Sequence, residues 1–372
     1  MLKRFEVKNF KGFKDKLVFD LSARDYDFNA DLIRDEIVNK AIIYGKNGIG
    51  KSSLGIALFD ITSHLTDKER FNPSYLANYR NLNAMDQPVE FKYFFILDGY
   101  EIEYEYTKLA PNFLISERMT VNNQEIVRYD YFTKDNNYIS SQIRGSLNIE
   151  LVDNQLSILK YIYRNTPLNT YPPLTRLIQF CENMLWYRSL SDGNAYAGFQ
   201  NGRSLLDEII YENGKRKEFE EFLAEYGEEY RLNFESVNGG HQLFAYFNNG
   251  SKKEKTTFES LASTGTKALH LFFSWQIKAF NRLSFLFIDE FDAFLHYEAA
   301  ASLVRSLNSE KRFQTVLTTH NTYLMNNKLT RPDCCYIMTH NKLSCLSDCT
   351  DKEISEAHNL EKMYINGAFI DE

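Results

Sequence analysis

The sequence predicts an α/β protein: a mixed β-sheet with flanking helices, carrying an antiparallel β subdomain and an α-helical insertion lobe. Three observations carry that expectation. A short apolar run, Lys40 to Tyr44, passes into a glycine-rich loop and then into helical apolar spacing. A second apolar run, Phe285 to Ile288, ends in the carboxylates Asp289 and Glu290, and a third, Val316 to Thr319, follows after a helical stretch. Two alternating runs between 89 and 108 flank Asp98-Gly99, a dipeptide that favours a tight antiparallel turn.

Taken in order, residues 1 to 22 alternate as an antiparallel pair with Lys11-Gly12-Phe13 between, and 23 to 39 are polar and acidic. After the strand at 40 to 44, Leu54 to Leu65 has the spacing of one helix. Strand-like sequence resumes at 113 to 132, and 151 to 230 reads as helical, interrupted by Pro167, Pro172 and Pro173 so that no long coiled coil can form. Residues 241 to 248 and 256 to 258 return to strand, Thr266 to Phe280 is an apolar helix, and strand, helix, strand lead to Thr319. Cys335 to Met338 and Lys342 to Leu346 read as a hairpin turning at His340-Asn341.

Composition bounds the class. At about 150 residues per domain, 372 residues make two to three units. With 44% hydrophobic residues and only 17 Gly and 7 Pro, collagen-like and disordered readings are excluded. The longest apolar stretches fall far short of the roughly 18 residues of a membrane span, and the N-terminus has no apolar signal region, so a cytoplasmic chain with no membrane partner is expected. Five cysteines do not make a secreted disulfide framework, and Cys334, Cys335, Cys345 and Cys349 lack the spacing of zinc knuckles. The net charge of −7 leaves nucleic acid only a local groove. Short basic clusters, Lys215-Arg216-Lys217 and Lys252-Lys253 with Lys255, read as solvated faces.

The chemistry lies in four segments. Gly45 to Ser52 fits the phosphate-binding pattern G-x-x-x-x-G-K-[ST]: Gly45, Asn47, Gly48, Gly50 and Ser53 belong to the loop whose backbone N–H groups converge on phosphate, Lys51 adds a cation, and the Ser52 hydroxyl ligates Mg²⁺. Asp289 is suited to the Mg²⁺ shell and Glu290 to polarising water. Ser263, Gly265 and Thr266 fall at a helix N-terminus, where a hydroxyl and free N–H groups can receive a phosphate. His320 closes the strand-helix-strand unit that starts at the acidic pair. ATP and Mg²⁺ are therefore the expected ligands.

In this order the segments resemble the head of the ABC-type ATPases, in the branch of SMC, RecF and OLD-like proteins, where the N-terminus also carries a segment like Asn9-Phe10-Lys11-Gly12-Phe13. The compact size, Asp289 to His296 and the tail 358 to 369 further resemble the ATPase subunits of bacterial antiphage and abortive-infection systems such as PARIS, Septu, Rlo/Abi and some retrons. The resemblance implies an N-terminal ATPase half at 1–110, an insertion lobe at 111–240 and a C-terminal half at 241–372. It also implies a homodimer or higher homo-oligomer in which Ser263, Gly265 and Thr266 act in trans, with Glu290 as catalytic base and His320 as the switch on the γ-phosphate. The chain departs from the family in lacking a full L-S-G-G-Q signature, and Gln142 and Gln155 both fall near the expected Q-loop. The implied function is an ATP-hydrolysing switch that controls a separate toxin or nuclease. That effector would dock on the aromatics of 110 to 235, among them Tyr129, Tyr131, Phe132, Tyr161, Tyr163, Trp186, Tyr187 and Phe199, unless these fill the lobe's own core. A RecF-like or SMC-like ATPase on duplex DNA is the alternative. An ABC transporter subunit is disfavoured by the N-terminal segment and the degenerate signature. Asp292 is expected to point along the loop after Glu290, into dimer contacts.

Overall fold

The computed structural model describes residues 1–372 except 134–135, 146, 148, 150–152, 168–169, 191–194, 201–204, 250–251, 341 and 370–372. The chain opens with β1 (Leu2–Lys8), β2 (Leu17–Asp20), the short pair β3 (Ile33–Arg34) and β4 (Ile37–Val38), and β5 (Lys40–Tyr44). Helices α1 (Lys51–Leu58) and α2 (Asp60–Leu65) precede the meander β6 (Val89–Leu97), β7 (Tyr100–Ala110), β8 (Phe113–Val121), β9 (Gln124–Asp130) and β10 (Tyr138–Ile139). Next come α3 (Ser141–Arg144), α4 (Ile158–Asn165), α5 (Pro172–Glu182), β11 (Met184–Arg188), β12 (Tyr196–Gly198), α6 (Leu206–Glu212) and α7 (Arg216–Glu225). A three-stranded sheet of β13 (Leu232–Val237), β14 (Gly240–Asn249) and β15 (Lys252–Thr257) leads into α8 (Phe258–Leu261) and α9 (Thr264–Ala279). The last third holds β16 (Phe285–Asp289), α10 (Tyr297–Ser309), β17 (Gln314–Thr319), β18 (Cys335–Met338), β19 (Leu343–Cys345) and α11 (Leu360–Ile365).

Two seven-stranded sheets organise the molecule. One is antiparallel, in the order β10-β9-β8-β7-β6-β1-β2. The other runs β12-β11-β16-β17-β5-β18-β19, and its five inner strands are parallel to one another, with an antiparallel strand at each edge. The apolar runs that mark the inner strands are continuous because both faces are covered. Ala41 and Ile43 of β5 and Phe285 and Phe287 of β16 point into the core shared with the antiparallel sheet, α1, α2 and α5, whereas Ile42, Tyr44, Leu286 and Ile288 pack on the opposite face against α9 and α10.

Several expectations are corrected. The helix at 54 to 65 is broken at Phe59 into α1 and α2. The stretch 151 to 230, expected to be helical, contains β11 and β12, which complete the parallel sheet; Met184-Leu185-Trp186-Tyr187 is buried on both faces like the other inner strands. The expected division at 110/111 falls between β7 and β8, which pair in one sheet. Tyr129, Tyr131, Trp186, Tyr187 and Phe199 are buried, Tyr161 and Tyr163 pack half-buried on the same core, and only Phe132 of the aromatics proposed for docking is exposed. These rings fill the core because a partly helical lobe with two core strands has no other way to cover its apolar faces.

The hairpin at Asp98-Gly99 forms, with both residues at positive φ (50° and 81°) as a two-residue turn of this type requires. The hairpin of β18 and β19 also forms, although Asn341 of its turn lies outside the described residues. Cys335 and Cys345 lie in its two strands and Cys334 just before it, all buried, and burial pushes the Cys335 and Cys345 thiols up to about 12. The basic clusters are tied to acids: Lys215 to Glu218, Arg216 to Glu220 and Lys255 to Glu235. No helix among the described residues is long and apolar enough to cross a membrane.

Candidate functional site

Parallel pairing brings four strand ends to one edge of the core sheet. Tyr44 lies opposite Thr319, Ile288 opposite Leu317 and Arg188 opposite Asp289, so the glycine-rich loop, the acidic pair and His320 all leave the sheet side by side. The loop wraps the start of α1. Gly50 caps that helix at φ 112°, a conformation side chains avoid, and no side chain caps the first N–H groups of α1, which therefore remain available to an anion. Phe13 of the Asn9–Phe13 segment packs under Gly50, 3.0 Å from where a Cβ would stand. Gly55, in the middle of α1, allows the helix to sit directly on the sheet, since a Cβ there would lie 2.7 Å from the Phe287 ring.

Lys51 Nζ donates to the carbonyl oxygens of Gly45 (2.6 Å) and Lys46 (2.9 Å), folded against its own loop. Burial lowers its pKa, opposed by Glu290, Asp289 and Asp292, while Arg188 adds to the lowering. All four groups are thus within electrostatic reach of the ammonium. Asn47 and Gly48 are exposed at the loop tip; Gly45, Gly50, Ser52 and Ser53 are half-buried.

Asp289 is fully buried. Its Oδ1 accepts from Thr318 Oγ1 (2.7 Å), the Ser52 hydroxyl lies close enough to lower its pKa, and Oδ2 has no hydrogen-bond partner. Burial raises its pKa despite the two hydroxyls. A buried carboxylate oxygen without a partner, beside the hydroxyl that opens α1, fits a hard divalent cation such as Mg²⁺ held by Ser52 and Asp289. Thr318 also fixes the next residue, because its hydroxyl oxygen accepts from the Glu290 N–H (2.8 Å), holding Glu290 at φ 49°. Asp292 differs from expectation. It is buried with Oδ2 accepting from Thr319 Oγ1 (2.8 Å) and Oδ1 unpartnered, so it belongs to the floor of the site and does not reach outward.

Glu290 does not stand alone. Arg188, at the end of β11, donates to Glu290 Oε2 from Nε (3.1 Å) and from Nη2, and its Nε lies 3.9 Å from Asp289 Oδ2. Sequence reading missed Arg188, although Met184 to Arg188 is an apolar run ending in a charge, the same pattern as Phe285 to Asp289. Gln142 and Gln155, weighed for a Q-loop, are exposed on segments outside the core sheet. The strand end beside Asp289 carries Arg188 instead.

The predicted signature opens α9. Ser263 is exposed and caps the helix, accepting from the Thr266 N–H (3.1 Å), and Gly265 is half-buried with the Phe294 carbonyl 2.9 Å from the place of a Cβ. Thr266 is corrected: it is fully buried, its hydroxyl engaged by the Glu228 carboxylate, and so it serves the helix rather than presenting itself to another subunit. His320 is exposed at the end of β17.

No curated protein matches the sequence. Among solved structures the chain is similar to an SMC head bound to the C-winged helix domain of ScpA, at 17% identity over 92% of this chain and 96% of that one, with a TM-score of 0.47. It is also similar to the SMC head domain from Thermotoga maritima, at 15% identity over 92% and 98% of the two chains with a TM-score of 0.44. Residues 40–326, well over half of the chain and spanning every strand end just described, match one family, and the chain belongs to it: "AAA domain, putative AbiEii toxin, Type IV TA system".

Proposed function

We propose that this chain binds ATP with Mg²⁺ and hydrolyses it, and that turnover works as a switch in a bacterial abortive-infection or antiphage system. The observation that supports the reading best is the shared edge where Lys51 and the uncapped start of α1 meet a buried acid, Asp289, that keeps one oxygen unpartnered. The N–H groups of α1 and Lys51 would bind the phosphates. Mg²⁺, held by Ser52 and Asp289, would neutralise charge on the phosphate oxygens. Glu290 orients a water and takes its proton as the water oxygen bonds to the γ-phosphorus and the bond to the ADP oxygen breaks. His320 would contact the γ-phosphate, and Ser263 with Gly265 would offer a surface to a second copy of the chain, so that a homodimer would close on the nucleotide. The family description, a putative AbiEii toxin of a Type IV TA system, supports the abortive-infection role.

Nucleotide binding and turnover test the reading together. Lys51→Ala should abolish ATP binding, and Glu290→Gln should keep binding and lose turnover. Equal ATP affinity in wild type and Lys51→Ala would end it. Toxicity on expression of this chain alone would place the toxic step here, whereas toxicity only with neighbouring genes would favour a separate effector. ATP turnover stimulated by duplex DNA with no effect on growth would favour the DNA-repair alternative.

A further inference from the structure

We propose that Arg188 is a latch on Glu290 that nucleotide releases: its guanidinium is held by the glutamate and passes to the terminal phosphate when ATP binds, freeing Glu290 for water. The inference rests on the ATPase reading and adds its regulation. Four observations carry it. Arg188 and Glu290 come from neighbouring parallel strands whose register sets Arg188 beside Asp289, so the contact is built into the sheet. Both Nε and Nη2 converge on the one oxygen, Oε2, so that oxygen is engaged and the carboxylate is held at the guanidinium. The pair is not sealed in, since the two side chains keep 33% and 28% of their exposure and an anion in the cleft can compete for the guanidinium. Finally, Glu290 is pinned only through its backbone, by Thr318, which leaves its side chain able to turn once released.

The exchange is favourable in charge terms. The edge gathers three carboxylates, Asp289, Glu290 and Asp292, against two cations, Lys51 and Arg188. A triphosphate arriving with a divalent cation supplies a polyanionic acceptor whose terminal oxygens can take both N–H groups of a forked guanidinium, which a single carboxylate oxygen does less well. A diphosphate lacks the group that would take Arg188, so the latch distinguishes ATP from ADP.

A double-mutant cycle on nucleotide affinity tests this with a readout separate from turnover. Affinities for a non-hydrolysable ATP analogue and for ADP are measured in wild type, Arg188→Ala, Glu290→Gln and the double variant, with Arg188→Lys and Arg188→Gln read in the same cycle in case the alanine variant does not fold. Arg188→Ala should weaken the ATP analogue by about tenfold, the scale of one charge-assisted hydrogen bond, with ADP changed by less than about twofold. Arg188→Lys should recover part of that loss. Glu290→Gln should tighten the analogue only when Arg188 is present. Equal tightening by Glu290→Gln with and without Arg188, or equal weakening of the analogue and ADP in Arg188→Ala, would overturn the latch. If the folded wild type binds nucleotide and Lys51→Ala does not, an additive cycle removes the latch alone; absence of nucleotide binding in folded wild type removes the ATPase reading and the latch with it.

Discussion

Two buried acidic centres lie on either side of α1 and α2, and they treat their carboxylates in opposite ways. Under the antiparallel sheet, Asp60 accepts from Lys108 Nζ, Tyr106 (3.0 Å) and Tyr79 (2.7 Å), and Glu117 accepts from Tyr104 (2.6 Å), Tyr131, Ser157 (2.7 Å) and the Ile158 N–H (2.9 Å). Both carboxylates have every oxygen engaged. At the edge of the core sheet, Asp289 and Asp292 each keep one oxygen without a partner. The pKa directions follow. Burial alone would raise Asp60, yet Lys108 and His64 hold it well below the usual carboxylate range, whereas burial raises Asp289 and Asp292 despite their threonine bonds. Equal burial therefore does not mean equal purpose: the first centre is closed and braces the helices that follow the phosphate loop, and the second is left open to a ligand.

The largest test of that contrast removes one group from each centre. Lys108→Ala should cost about 3–5 kcal/mol in urea unfolding, because it strands a buried carboxylate, and should leave the nucleotide affinity of the folded fraction unchanged. Asp289→Asn should change stability by less than about 1 kcal/mol while lowering turnover by at least about a hundredfold. If Asp289→Asn unfolds the chain and Lys108→Ala does not, the assignment of the two centres is reversed.

Next in size is the acid dependence of stability. Burial, reinforced by Lys108, lowers His64 from 6.5 to about 4, and burial lowers His270 in α9 to about 3. In each case the unfolded chain takes the proton first, so their contribution is complete above the ordinary histidine range and is lost as pH falls from 6.5 towards 4. For His64 the shift is worth roughly 3 kcal/mol. His64→Gln should remove about half of the loss seen by chemical unfolding between those pH values. A slope unchanged in the variant would show that His64 is not part of the closed centre.

A smaller effect is expected at Thr318, whose hydroxyl bonds Asp289 and the Glu290 N–H at once. Thr318→Val should cost about 1–3 kcal/mol of stability and lower turnover with little change in ATP affinity. The smallest belongs to the outer face of the antiparallel sheet, where Arg118 bridges Glu105 and Glu125 in solvent. Arg118→Ala should cost less than about 1 kcal/mol. Comparable losses at Thr318 and Arg118 would mean that the site's hydrogen bonds carry no more than surface pairs.

The sequence by itself determined the features that depend on neighbours in the chain. The glycine-rich loop between Tyr44 and Leu54, the acidic end at Asp289-Glu290 and the turn at Asp98-Gly99 were legible because their backbone and side-chain chemistry is complete within a few consecutive residues. What only the tertiary structure decided depends on register between distant strands. Met184 to Arg188 belongs to the core sheet because it pairs with Phe285 to Asp289, about a hundred residues further on, and local spacing in a short apolar run does not separate a buried strand from a buried helix. That pairing places Arg188 on Glu290, and the packing of α9 turns Thr266 inward to Glu228 while Ser263 stays at the surface. It also decides which carboxylates are satisfied. Asp60 and Asp289 are the same residue type at similar depth, and their difference lies in the tyrosine hydroxyls and the ammonium that distant segments bring to both oxygens of Asp60, whereas Asp289 receives the Thr318 hydroxyl on Oδ1 and keeps Oδ2 without a hydrogen-bond partner.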